Sequence, residues 1–166
     1  MVVDMPPVNN VTRFLDAHKV SYMVFETPAE KLGALEVAQL LNMPPEMVFK
    51  TIVLTRDKPK KPVLAVVPGP CTVDLKSLAA FLSEKKVHLP TEREAEQLTG
   101  LQAGGISPLA LIDKGFQVVL DSSAQNCSEI HVSGGQRGIN IRLSVADLVK
   151  LTNAHMASIC QKTNSF

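Results

Sequence analysis

Apolar positions along this chain change their period several times, and each change marks an element. Near the start, Val11, Phe14 and Leu15 recur at helical spacing behind Asn10, a residue type suited to capping a first helix. After a Lys19-Val20 turn, Ser21-Tyr22-Met23-Val24-Phe25 reads as a strand. Leu35, Ala38 and Leu41 restore the helical period. That second helix is expected to stop near Asn42, because Pro44-Pro45 disfavours helical geometry in the residue before it. A strand pattern follows in Val48-Phe49-Lys50-Thr51-Ile52-Val53-Leu54. A lysine- and proline-rich turn from Arg56 to Pro62 joins it to Val63-Leu64-Ala65-Val66-Val67, which Pro68-Gly69-Pro70 closes. These two runs predict a hairpin.

Asp74 is placed to cap a helix that buries Leu75, Leu78, Ala79 and Leu82, and Thr91 with Glu94 forms a capping box for a helix through Leu98, ended by Gly100. The chain then turns to β structure at Gln117 to Leu120, Glu129 to Val132 and Ile139 to Leu143. Its connections are glycine-rich, at Ala103-Gly104-Gly105 and at Ser133-Gly134-Gly135-Gln136-Arg137-Gly138. Ser144 and Asp147 open a last amphipathic helix with Val145, Leu148 and Val149. The irregular order of helices and strands argues against a doubly wound parallel sheet. It predicts an α+β fold, a mixed, mainly antiparallel sheet surrounded by helices and curled towards a barrel that leaves few open edges. With no repeat, low-complexity stretch or linker, residues 1–166 read as a single domain.

Composition narrows the function. A chain of 166 residues with 45% hydrophobic content has enough apolar side chains for one buried core, and no run is long and apolar enough to span a bilayer. Met1-Val2-Val3-Asp4-Met5-Pro6-Pro7 lacks the basic start and apolar run of a secretory signal and reads as an extended lead-in, so a cytoplasmic location is expected. Cys71, Cys127 and Cys160 are odd in number and have no CxxC spacing, which favours reduced packing residues over a disulfide framework or a zinc site. His18, His88, His131 and His155 match no metal-ligand spacing, and no metal or cofactor is expected. A net charge of +1 denies the chain the basic excess of a duplex-wrapping module, although Arg56-Asp57-Lys58-Pro59-Lys60-Lys61 and Lys85-Lys86 concentrate positive charge locally.

Against that background Lys50 stands out. Alternation puts it on one strand face with Val48, Ile52 and Leu54, where an unpaired ammonium costs several kcal/mol unless it reaches water, shifts its pKa or meets an anion. The second feature is Gly104-Gly105-Ile106-Ser107-Pro108-Leu109. Its glycines allow close backbone approach to a ligand, or equally an ordinary strand-entry turn, and it lacks the Gly-Lys-Ser/Thr of a P-loop. The Ser133 to Gly138 segment reads first as a hairpin connection with a bulge. Neither Ser107 nor Ser133 has a Gly-x-Ser-x-Gly setting, and Asp121 of Asp121-Ser122-Ser123 reads as a cap, so a serine-hydrolase triad is not supported.

Taken together and in this order, Phe49-Lys50-Thr51, Gly104-Gly105-Ile106-Ser107-Pro108-Leu109 and Val132-Ser133-Gly134-Gly135-Gln136-Arg137-Gly138 resemble the YbaK/EbsC branch of the prolyl-tRNA editing family, over nearly the whole chain. The resemblance implies a mixed β-barrel flanked by helices. It implies trans-editing deacylation of Cys-tRNA(Pro), and of Cys-tRNA(Cys), in which the substrate's own thiol attacks the ester and forms a cyclic thioester. Lys50 would be the required residue and would meet the phosphate or sugar of the terminal adenosine. The loop Gly104, Gly105, Ile106, Ser107 and Pro108 would line the aminoacyl pocket, with Thr51, Ser133 and Gly134 beside it. The partners implied are the acceptor end of an aminoacyl-tRNA and prolyl-tRNA synthetase, with no membrane and no DNA. The segment from Glu26 to Ala34 is shorter than in relatives, and Leu109-Ala110-Leu111 stands where close relatives carry Gly-Gln. The resemblance therefore leaves open a water-using deacylase for alanine or another small residue, and a non-catalytic adaptor for aminoacyl-tRNA or a synthetase.

Overall fold

The computed structural model describes residues 8–57 and 60–162, so the expected lead-in at Met1 to Pro7 lies outside the described residues. The helices are α1 (Asn10–Ala17), α2 (Ala34–Leu40), α3 (Leu75–Phe81), α4 (Glu92–Thr99) and α5 (Val145–Thr152). The strands are β1 (Tyr22–Glu26), β2 (Phe49–Leu54), β3 (Val63–Pro68), β4 (Cys71–Val73), β5 (Gln117–Asp121), β6 (Glu129–Ser133), β7 (Ile139–Ser144), β8 (His155–Ala157) and β9 (Cys160–Lys162). They form three sheets, ordered β1-β7-β6, β2-β3-β5-β8 and β4-β9. The β3-β5 and β5-β8 ladders are parallel and the others antiparallel, which makes the fold α+β with mixed, mainly antiparallel sheets. The closure towards a barrel is looser than expected. Edge strands β2 and β6 meet through the isolated bridge Val48↔His131, without a continuous ladder between the two larger sheets.

Local chemistry explains most boundaries. Asp74, Thr91 and Ser144 cap α3, α4 and α5 as expected, their side chains accepting from the backbone N–H of Ser77, Glu94 and Asp147. The first cap is Asn9 rather than Asn10. From Asn9 the third helical residue is Thr12, whose hydroxyl accepts from the Asn9 N–H at 2.9 Å while Asn9 Oδ1 accepts from the Thr12 N–H at 2.9 Å. Asn10 has no such partner, so reciprocal pairing sets the boundary.

The expected hairpin is present, with β2 and β3 paired from Phe49↔Pro68 to Leu54↔Val63. All six residues of β3 are buried, as suits a central strand covered on both faces. Phe49 and Val53 join the larger core with Leu64, Val66, Leu120 and Ile141; Leu54 joins the second with Val63, Ala65, Val67, Leu78 and Ile159. Lys50 and Ile52 share the second face but stay half-buried, because β2 is a sheet edge.

Two expectations are corrected. Cys71 and Cys160, expected as reduced packing residues, form a disulfide with Cα atoms 5.6 Å apart. The short strands β4 and β9, which their composition does not announce, pair antiparallel and bring the two sulfurs together across 89 residues of chain. Leu75, expected in the core, is 39% exposed, because α3 turns Leu78 and Ala79 inward instead.

Candidate functional site

The Lys50 ammonium sits where the two large sheets diverge. It donates to the Gly69 carbonyl oxygen at 3.1 Å. Burial holds its pKa below the usual lysine value. Beside it opens a cavity of about 240 Å³. Lys50 and Thr51 enter from β2, Ser133 from the end of β6 and Asn140 from β7, opposite Ser133 in the ladder. Ala103, Gly104 and Ile106 close one side, and Leu32, Gly33 and Ala34 close another. Among the described residues this lining contains no carboxylate, imidazole or thiol. What it offers is one cation, two hydroxyls, a carboxamide and an apolar wall.

The structure thus brings Lys50, Thr51, Gly104, Ile106 and Ser133 to one cavity, whereas Gly105, Ser107, Pro108 and Gly134 are not part of its lining. Ser107 is fully buried, and its Oγ accepts from the Leu109 N–H at 3.2 Å, which starts the short turn at Pro108–Ala110. Gly105 serves a close backbone approach, but to protein. A Cβ there would lie 2.8 Å from the Gln136 Cα, so the loop before Pro108 packs directly on the β6-β7 connection. Arg137 fastens the same contact by donating from Nε to the Ala103 carbonyl at 2.7 Å. Gly104, at φ +89°, turns the chain between that clamp and the cavity.

Sequence reasoning missed Asn140 and the histidine that holds it. His131 is fully buried on β6, and its Nδ1 donates to Asn140 Oδ1 at 3.0 Å. Burial keeps the ring's pKa below the ordinary histidine value, the Asn140 bond opposing that effect and the Arg142 charge adding to it. A neutral ring follows, with Nε2 buried and unpartnered. With Oδ1 engaged by His131, the free face of the Asn140 carboxamide is its NH2 donor. The one available signal was alternation in Ile139-Asn140-Ile141, where a polar side chain is flanked by core residues. Leu32 and Gly33 carried none, since the segment from Thr27 to Gly33 has no regular structure.

The family model for the aminoacyl-tRNA editing domain matches residues 29–151. A protein of Enterococcus faecalis named "Putative Cys-tRNA(Pro)/Cys-tRNA(Cys) deacylase EbsC" is 37% identical over 155 residues, covering 92% of this chain and 93% of its own. The proline–tRNA ligase of Streptococcus thermophilus is 29% identical over 116 residues, 70% of this chain but 18% of that enzyme. Among solved structures, hypothetical protein APE2540 superposes with a TM-score of 0.83 at 22% identity, over 92% of this chain and all (100%) of that one. A "putative trans-editing enzyme for prolyl tRNA synthetase" superposes at 0.77 with 23% identity, over 93% and 99%. Those two likenesses speak for the fold. The match at residues 29–151 and the near full-length relative show that the chain belongs to the aminoacyl-tRNA editing domain family.

Proposed function

We propose that this protein is a trans-editing deacylase that removes cysteine from Cys-tRNA(Pro), and from Cys-tRNA(Cys), through the thiol of the substrate. The observation that carries this reading is the cavity lining, which has a cation and hydrogen-bond donors but, among the described residues, no side chain suited to act as base or activated nucleophile. A reaction housed there draws its nucleophile from the substrate or from water. Cysteine provides one already tethered to the ester, so proximity replaces a protein nucleophile.

The steps balance without an external redox partner. The thiol proton, with an ordinary pKa of about 8.5, leaves to solvent, and the neighbouring Lys50 ammonium favours the thiolate. Sulfur attacks the ester carbonyl carbon, the C–S bond forms and the C–O bond to the ribose breaks. The bonding pair stays on the ribose oxygen, which takes up a proton. Water then opens the cyclic thioester and releases cysteine. Hydroxyls of Thr51 and Ser133 and the Asn140 NH2 are the donors available to the carbonyl oxygen as charge grows on it. A cavity of about 240 Å³ is below the roughly 300–1,000 Å³ of sites that enclose drug-sized ligands, so it suits an aminoacyl group and leaves the nucleoside outside.

The chain's likeness to part of a proline–tRNA ligase supports work beside that synthetase, and a cytoplasmic setting goes with it. No helix among the described residues is long and apolar enough to cross a membrane. The test is release of cysteine, alanine and serine from charged proline tRNA. Cysteine alone should be freed, with the serine ester left intact because its hydroxyl is a poor nucleophile at neutral pH. Equal or faster loss of alanine would move the reaction to a bound water. Binding of charged tRNA with esters as long-lived as in buffer would make the protein an adaptor.

A further inference from the structure

Lys50 lines a second depression on its other side. This groove, of about 190 Å³, is formed by Lys50, Ile52, Thr72, Val73, Leu75 and Leu89. Leu75 and Leu89 are 39% and 63% exposed, so the groove presents an apolar floor to solvent directly beside the aminoacyl cavity, with the same ammonium at the junction. Resting on the deacylase reading, we propose that this groove is the subsite for the 3′-terminal nucleoside of the charged RNA, with the exposed edge at residues 85–89 receiving the phosphates that precede it.

Three features fix the occupant. A cavity sized for the acyl part of the ester leaves the ribose and base to lie across its rim, and Lys50 and Ile52 are the side chains common to the cavity and the groove. A nucleobase has apolar faces and polar edges, which suits a shallow floor of aliphatic side chains open on one side. Charge then continues the path. The bridge Thr55↔His88 brings the 84–89 segment against the end of β2, and exposed Lys85 and Lys86 lead up to Leu89. Of the nearby carboxylates, Glu84 pairs with Lys60 and Asp74 accepts from the Ser77 N–H. A chain of net charge +1 thereby concentrates cations where an RNA strand would leave the groove.

The probe is a labelled acceptor-stem hairpin RNA with a single-stranded CCA end, compared with the same hairpin carrying an abasic terminal residue, by fluorescence anisotropy. Removing the terminal base should weaken binding to the wild type on the order of tenfold, in line with the loss of one stacked base. For Leu89→Asp the same removal should cost little. Lys85→Glu with Lys86→Glu should lower the slope of log K against log salt by about two if both lysines meet phosphates. Met23→Asp, at an exposed apolar site on β1, in a different sheet from the strands that form the groove, should bind as wild type. Equal sensitivity of wild type and Leu89→Asp to base removal overturns the proposal. So does an unchanged salt slope in the double lysine variant, which tests the path even if Leu89→Asp fails to fold. A dimer that Leu89→Asp splits would show the groove to be covered by a second copy and would overturn it too. Base-dependent binding without ester cleavage would leave the subsite standing while the deacylase reading fell.

Discussion

Lys50→Met separates the chemical role of the ammonium from its structural one, because methionine keeps most of the aliphatic volume and removes only the charge. Two opposing effects set the stability change. The lost hydrogen bond from Nζ to the Gly69 carbonyl, 3.1 Å long, is of the charge-assisted kind worth about 1.5–3 kcal/mol. Against it stands the burial that holds the lysine's pKa down, a cost of keeping the charge that methionine does not bear. The carbonyl left behind borders an open cavity and can be hydrated, so the balance is expected within about 1 kcal/mol, or roughly 2–4 °C in Tm for a chain of this size. Catalysis has no such compensation. Removing the cation from beside the ester should lower kcat/KM by about 10²–10³, the range found when one donor to a developing oxyanion is deleted.

Single-turnover release of labelled cysteine, read beside urea and thermal unfolding, measures both quantities. A variant with kcat/KM within threefold of wild type would refute the catalytic argument. One that loses more than about 3 kcal/mol of stability would make the lysine a structural residue. The pH dependence adds a signed check. A lysine with a depressed folded pKa carries its burial penalty while protonated and is relieved of it as pH rises towards the ordinary value of 10.5. Wild type should therefore gain stability relative to Lys50→Met in that alkaline window, while its kcat/KM, corrected for spontaneous ester hydrolysis, falls below pH 10.5.

Tyr22 is the chain's single tyrosine, and burial together with its hydrogen bond to Asp16 pushes its phenol up to about 12; tyrosinate absorbance should titrate near there, and Asp16→Asn should move the midpoint towards 10. Because that pKa is raised, the associated stability is fully present below pH 10 and is lost as pH climbs through the folded value, so a midpoint near 10 in the wild type would remove the Asp16 contact from the folded state. Cys160→Ser should lower the unfolding free energy by about 2–4 kcal/mol under oxidising conditions, as expected for opening a long cross-linked loop. Identical melting of wild type with and without reductant, or three titratable thiols in the unreduced protein instead of Cys127 alone, would show that Cys71 and Cys160 are unpaired.

The parts of this molecule legible in its sequence are those set by local chemistry. Helix starts at Asp74, Thr91 and Ser144 follow from one side chain and an N–H three residues on, and the β2-β3 hairpin follows from two periodic runs and a turn. Lys50 was legible for the same reason, as a charge out of place in an alternating pattern. What sequence did not reveal depends on pairs that meet only across strands of the folded sheets. Cys71 meets Cys160 only through strands of three residues, too short to have a period. Asn140 becomes part of the cavity because His131, on the neighbouring strand, fixes its orientation, and no spacing rule announces that pair. The glycine loop was half legible. Close approach at Gly105 was expected, but the partner is the Gln136 backbone, and Ser107 is committed to the turn it caps.

The imperfect closure of the sheets is itself what makes a site. A continuous barrel would pair the β2 edge with β6 along its length, and the polar backbone and side chains there would be consumed in ladder bonds and packing. Here the two edges touch at Val48↔His131 and separate beyond it. In the resulting wedge Lys50 and Thr51 line the cavity from one sheet while Ser133 and Asn140 line it from the other, and the clamped loop at Ala103 to Ile106 seals one side. Only an edge strand lets a lysine keep its stem among apolar neighbours and its ammonium at a seam open to solvent. Pairing β2 fully would bury that charge at a cost of several kcal/mol without an anion to offset it, so the cation and the open seam require each other.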